Sequence, residues 1–277
     1  MRARESLLAS DVIPGDLKRL FPIVEKAAPK STVPGEWTSA TQPMPLAPPR
    51  LSRSGFTDAD ITNRTPDAAE SVRKQLKSLV YGKEHLPPSV QGTLVAPGFH
   101  GGATWSGASF DPETGILYIN TNDIPSVMGL TANGRGGYDF NGYQWFNDHE
   151  GFPGNKPPWG WLTAVDLNKG TFAWRRVFGA YPELEAKGQK GLGAQSFGGT
   201  IVTKGGLVFI GGSPDEKFRA YDKLTGKELW TADLGAGGYA TPCTYMVNGK
   251  QYVVIAAGGG GKLGTKSGNK YIAFAID

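Results

Sequence analysis

The stretch AVDLNKGTFAW runs from Ala164 to Trp174, and AYDKLTGKELW runs from Ala220 to Trp230. Both read Ala-x-Asp-x-x-x-Gly-x-x-x-Trp. In each copy the Asp and Gly stand where a turn joins two strands. Glycine is needed there if φ is positive, or if another group approaches the bare backbone. The Trp presents a large flat apolar face to a neighbouring unit. The frame therefore reads as packing glue between repeated units, not as a catalytic centre.

The surrounding sequence has the texture of short strands from Thr93 onward. GILYINT (115–121) follows an Asp-Pro-Glu-Thr-Gly turn. GGTIVTKGGLVFIGG (198–212) reads as a hairpin turning at Lys204-Gly205-Gly206, and CTYMVNGKQYVVIAA (243–257) as one turning at Asn248-Gly249. KYIAFAID is the last strand. These segments form three similar units, at 105–177, 198–234 and 240–277. The third stops at Ala275-Ile276-Asp277, where the frame begins again. Four strands per unit at such a period predict an all-β fold of β-propeller blades over 93–277, with the last blade lacking its outer strand.

Upstream, 29–50 is proline-rich and predicts an extended connector. One amphipathic helix is expected at 66–80. Thr65 is its N-cap, Pro66 its first residue, and Ala69, Val72, Leu76 and Leu79 its apolar face. The segment 20–92 is thus connector plus helix, and residues 1–19 are unassigned.

Composition bounds the function. The 277 residues include 40 Gly and 20 Pro, a load suited to many turns. The net charge of +4 is scattered with no dense basic run, so no nucleic-acid partner is expected. Cys243 stands alone, which rules out an internal disulfide. The start, MRARESLLASDVIPG, has too short an apolar patch for a signal peptide. GGGGKLGTKSG (258–268) is not a phosphate loop, because Leu263 follows Lys262 where Ser or Thr is required. His85, His100 and His149 lack ligand spacing and are read as structural or surface residues. The segment 124–158, with Tyr138, Tyr143, Trp145 and Phe146, reads as a long loop that either covers a substrate funnel or pads a rim.

The repeated frame resembles the tryptophan-docking motif of quinoproteins, the dehydrogenases that use pyrroloquinoline quinone (PQQ). PPSVQGTLVAPG (87–98), ASFDPETGILYINTND (108–123), KPPWGWLTAVDL (156–167) and YMVNGKQYVVIAAGGGGKLGTKSG (245–268) are similar to the membrane glucose dehydrogenase-like members of that family. The likeness runs from about residue 20 to the end and concerns the family's C-terminal part. It implies the last three or so of about eight blades. It also implies oxidation of an alcohol or sugar hydroxyl, a quinone or cytochrome electron acceptor and a periplasmic location. The family's base, its calcium ligands and the residue stacked on PQQ belong to earlier blades, so no catalytic or metal residue is assigned here. A separate partner carrying the missing N-terminal half, and inactivity of the chain alone, are corresponding expectations. The break in likeness at residues 1–19 is what a truncated or split gene product would give.

For cofactor contact the resemblance implies Asn120, whose amide can donate and accept. It also implies Trp105 and Phe197, which stand where relatives often place aromatics near PQQ. The alternatives are a strand-end amide for Asn120 and core packing for the two rings. Gly260 stands where the membrane glucose enzymes carry His, which leaves glucose itself open as the substrate. The competing class is a non-catalytic propeller scaffold, since assembly lipoproteins share the docking frame.

Overall fold

A computed structural model describes residues 22–103 and 105–275. Residues 1–19 and the final Ile276-Asp277 lie outside the described residues. Three antiparallel sheets follow one another along the chain. The first is β4 (Ser109–Asp111), β5 (Ile116–Asn122), β8 (Gly160–Asp166) and β9 (Thr171–Val177), in that spatial order. The second is β10 (Thr200–Val202), β11 (Leu207–Ile210), β12 (Lys217–Asp222) and β13 (Glu228–Asp233). The third holds β14 (Cys243–Val247), β15 (Lys250–Gly259) and β16 (Ser267–Ala275). These are the blades of a partial propeller.

The repeated frame builds the same corner twice. Asp166 Oδ1 accepts from the backbone N–H groups of Asn168 and Lys169 at 3.0 and 3.1 Å, and Asp222 Oδ1 accepts from those of Leu224 and Thr225 at 3.1 and 2.7 Å. These are Asx turns, in which the carboxylate stands in for a backbone acceptor. Gly170 and Gly226 follow at φ 65° and 66°, the left-handed region open to glycine. Each outer strand then pairs with a register shift at the same place, between Ala164 and Val165 and between Ala220 and Tyr221.

The corner of the second blade receives the Trp of the first. Trp174 is 8% exposed, and its indole Nε1 donates to the Lys223 carbonyl at 2.9 Å. A Cβ on Gly226 would lie 2.6 Å from the indole ring, so only glycine lets the ring settle. Tyr118 Oη donates to the same carbonyl at 3.0 Å, and Lys223 Nζ pairs with Asp111 at 2.9 Å. Around this grip, Tyr118, Leu162, Ala164, Phe178, Val208, Ile210 and Tyr221 form the seam between the first two blades. A second seam, with Phe218, Val253 and Ile255 at its centre, joins the second blade to the third.

Trp230 departs from the expectation of burial between blades. It is 38% exposed and packs edge-on against Phe218 and Phe274, at 6.0 and 4.9 Å between ring centroids. Phe274 belongs to the third blade, so the ring does reach across the seam. Its contact is a side chain rather than a buried turn.

Three expectations upstream and within the insert are corrected. The helix α1 spans Pro66–Leu76, with the Thr65 hydroxyl accepting from Ala68 N and with Ala68, Ala69, Val72 and Leu76 buried. It stops short of residue 80 because Val80 leaves for a parallel bridge with Thr93. The proline-rich connector contains a strand, β2 (Thr41–Pro45), paired with β1 (Ile23–Ala27) in an isolated ribbon. The segment 124–158 is no loop. It holds a hairpin, β6 (Ser126–Ala132) and β7 (Tyr138–Trp145), which joins β3 (Thr93–Val95) in a separate three-stranded sheet. Phe56, Ile61, Leu94 and Phe146 pack this sheet against α1.

The blade seams carry the stability. Trp174→Ala should cost about 3–5 kcal/mol, by loss of a buried indole and its hydrogen bond. Gly226→Ala should also destabilise, because the methyl would meet the Trp174 ring. Trp230→Ala should cost less than half as much as Trp174→Ala. Urea denaturation of the three variants checks the order.

Candidate functional site at the loop-bearing end

The two ends of the blades differ. At one end the strands are joined by tight turns, 112–115, 167–170, 203–206, 223–227 and 248–249. At the other end stand every longer connection between blade strands, 123–159, 178–199, 211–216, 234–242 and 260–266. Binding groups concentrate on such loops when a rigid scaffold positions them. The innermost strands β4, β10 and β14 all begin at this end.

The three residues singled out for cofactor contact come from segments that meet here. Asn120 is fully buried on β5, and its Nδ2 donates to Ser196 Oγ at 2.9 Å. Asn122, two residues on, holds Ser196 in both directions. Its Nδ2 donates to the Ser196 carbonyl at 3.0 Å, and its Oδ1 accepts from Ser196 N at 2.8 Å. Phe197 is therefore fixed beside Asn120, and it is itself buried. Ala103 bridges Thr121, the neighbour of Asn120. Ser106 O accepts from Thr241 Oγ1 at 2.9 Å, and a Cβ on Gly199 would lie 2.6 Å from the same Ser106 carbonyl. Trp105 thus stands next to the starts of β10 and β14, and at 80% exposure its ring is free.

This neighbourhood holds buried polar atoms without partners among the described residues. They are Asn120 Oδ1, Gln195 Nε2 and Ser106 Oγ. The cost of burying such groups unpaired is roughly 1–3 kcal/mol each. Ser196 Oγ can donate as well as accept, so turning the Asn120 amide over leaves a free N–H in place of a free carbonyl. Sequence reasoning missed Ser196 and Gln195. No motif marks them, and only the fold brings them under β5.

A second layer lies beyond. His100 packs edge-on against Trp145 at 4.5 Å, and Trp145 packs against Tyr143 at 5.7 Å. Neither His100 nitrogen has a hydrogen-bond partner among the described residues. Burial, with the Lys262 charge nearby, pushes its pKa down to about 4. Asp123, at the end of β5, is pushed up by burial although Arg53 donates to it through its backbone N–H at 3.1 Å and its guanidinium at 3.4 Å. Among the described residues no three His, Cys, Asp or Glu side chains converge as a metal cluster.

A family model described as "PQQ: Glucose/ethanol/alcohol dehydrogenase, beta-propeller domain" matches residues 17–253. The chain belongs to that family of quinoprotein dehydrogenase propellers. It is 34% identical to quinoprotein glucose dehydrogenase A of Acinetobacter calcoaceticus over 93% of this chain and 36% of that protein. It is 32% identical to the glycerol dehydrogenase large subunit of Gluconobacter thailandicus over 94% of this chain and 40% of that protein. The chain therefore spans little more than a third of the length of these relatives. The solved quinohemoprotein alcohol dehydrogenase of Comamonas testosteroni superposes with a TM-score of 0.49, at 27% identity, over 66% of this chain and 27% of that one.

The free groups at this point are neutral hydrogen-bonding groups and one exposed aromatic face. The unpaired Gln195 amide N–H and Ser106 hydroxyl can donate to carbonyl or carboxylate oxygens, the Asn120 amide can do so only when turned so that its oxygen accepts from Ser196 Oγ, and the exposed Trp105 ring offers a flat face. None of Asn120, Gln195, Ser106 and Trp105 is a cation or a base.

The buried imidazole sets a pH dependence of stability. In the unfolded chain His100 takes a proton near pH 6.5, whereas in the folded chain it does so only near 4. Between these values the unfolded state binds more protons, so this group lowers stability as pH falls through the window. His100→Gln should flatten that part of the stability–pH curve and leave stability above pH 7 changed only by packing. Denaturant midpoints from pH 7.5 to 4.5 check this.

Proposed function

We propose that this chain forms one sector of a PQQ-dependent dehydrogenase that oxidises an alcohol or sugar hydroxyl. The observation that carries the reading is that Asn120, Gln195 and Ser106, all at the loop-bearing end, each hold a buried polar atom without a partner among the described residues. Family membership supplies the cofactor class. When bound, PQQ accepts the two electrons that leave the substrate carbon.

This chain's own residues would orient rather than react. The Asn120 amide, held by Ser196, would offer one hydrogen bond of fixed direction. The Ser106 hydroxyl would offer another from the start of the innermost strand. Trp105 would lay its ring against the flat cofactor. Phe197 would fill the space behind and keep water out. The proton acceptor for the substrate hydroxyl and the calcium site are assigned to blades that precede these. The substrate is an alcohol or sugar, the electron acceptor a quinone or cytochrome, and the setting the periplasm.

The reading predicts no dehydrogenase turnover by the 277-residue chain alone with PQQ, calcium and a dye acceptor. Absence of the base by itself forfeits on the order of 10²–10⁴ in rate. Turnover should appear when a polypeptide carrying the earlier blades is supplied. In that assembly Asn120→Ala should weaken PQQ retention by about tenfold, the worth of one well-placed hydrogen bond. Turnover by the chain alone, or full PQQ retention by the Ala variant, would overturn the assignment.

A further inference from the structure

The β1–β2 ribbon pairs with no other described strand. Between it and the turn 82–85 runs a groove of about 560 Å³. Met44 of β2 is buried in one wall, and His85 stands against it. The imidazole Nε2 lies 3.2 Å from Met44 Sδ, although 41 residues separate the two in sequence. His85 holds φ 58°, in the left-handed region that few residues other than glycine adopt. The turn that presents it is pinned. Phe56 N donates to the Gly82 carbonyl at 2.9 Å. Glu84 accepts from Ser54 Oγ at 3.0 Å and pairs with Arg50 and, at 3.5 Å, with Lys26.

A thioether is a weak hydrogen-bond acceptor. Beside an imidazole, however, it completes a donor pair that selects soft cations, Cu(I) above all. At metal–nitrogen and metal–sulfur lengths of about 2.0 and 2.3 Å, one ion can touch both atoms across their 3.2 Å separation. The bend this requires leaves the ion's other side open to the groove. The charges around the pair favour the same kind of ion. Lys26, Lys83, Glu84 and Asp60 are the charged residues of the lining besides His85. Both carboxylates are already engaged, Glu84 as above and Asp60 by Arg53 at 2.6 Å. A metal therefore meets neutral donors beside the ammonium groups of Lys26 and Lys83, which disfavours a divalent ion more than a monovalent one. Hard divalent ions, which bind through carboxylates, find no free carboxylate in this groove.

We propose that Met44 and His85 form a binding site for a soft monovalent metal ion, Cu(I), between the ribbon and the turn 82–85. The site shares no residue with the cluster around Asn120 and stands independently of the dehydrogenase reading.

The exposed Cys243 thiol would compete for the same ion, so the test uses the full chain with Cys243→Ser. Cu(I) is supplied anaerobically against a coloured Cu(I) chelator. Ag(I), a redox-inert ion of the same softness, is titrated into protein carrying isotope-labelled methionine methyl groups and followed by NMR. The first equivalent of Ag(I) should move the Met44 methyl signal ahead of that of the exposed Met246. Met44→Leu and His85→Asn should each weaken Cu(I) binding by about tenfold or more. Leu nearly conserves the volume of Met, and Asn tolerates the left-handed backbone. Met246→Leu should leave Cu(I) binding unchanged, and Zn(II) binding should not depend on Met44. Where a variant fails to fold, the Ag(I) titration of its parent decides. A Met44 methyl signal unmoved by Ag(I) would overturn the proposal, as would unchanged Cu(I) affinity in both folded variants; the contact would then be an N–H···S hydrogen bond alone.

Discussion

The Lys223 carbonyl is the point on which the blades agree. Tyr118 and Trp174 of the first blade both donate to it, and the Trp174 ring lies over the bare backbone of Gly226 three residues on. A carbonyl in a surface turn ordinarily belongs to water. Here it is taken by two buried donors, so the turn of one blade becomes part of the interior of the next. The Lys223 ammonium, turned the other way, pairs with Asp111 at the end of the innermost strand of the first blade. One residue of a tight turn therefore fixes both the radial position and the tilt of its neighbour. The Asx turns at Asp166 and Asp222 matter for the same reason, because they hold the corner in shape before the ring arrives.

Fixing the blades at their tight-turn end leaves the other end free to vary. The insert exploits this. It leaves the first blade after Asn122, forms its own sheet with β3, and returns at Gly160. A buried ion pair, Arg64 to Asp148 at 2.7 Å, ties it to the chain just before α1. Removing one partner of such a pair strands a buried charge, so the tie is specific even if its net contribution is small. On its far side a hydrogen bond from Lys262 Nζ to Tyr143 Oη joins the insert to the third blade.

Much of this was legible in the sequence, and the illegible parts share a cause. The frame at Ala164–Trp174 and Ala220–Trp230 predicts the corners because a turn is a local object, written in consecutive residues. The helix ends earlier than its apolar period predicts, because Leu79 continues that period while Val80 obeys Thr93, thirteen residues away. The hairpin in 124–158 had a local signal, Asn133-Gly134 between runs rich in strand formers, which the density of glycine and aromatics obscured. Trp230 shares its frame with Trp174 and yet stays partly exposed, since burial depends on what lies opposite and not on the frame. The cluster at Asn120 is the extreme case. Ser196, Gln195 and Ser106 have no shared motif, and only blade packing assembles them.

The electrostatics of the loop-bearing end set what this sector can contribute. The atoms around Asn120 are neutral, and the nearest buried imidazole, His100, stays uncharged down to about pH 4. Neutral groups held by a rigid seam orient a ligand well, because they cost no reorganisation when charge shifts elsewhere. They cannot take up a proton near neutral pH. The groups at this point are thus suited to orienting a ligand and not to abstracting its proton. The division follows from burial. A carboxylate packed as deeply as Asn120, with only Ser196 beside it, would be pushed toward its neutral form. Asp123, raised by burial even with Arg53 against it, shows the direction in this chain. The seam that makes Asn120 a fixed donor or acceptor is the same seam that bars it from carrying charge.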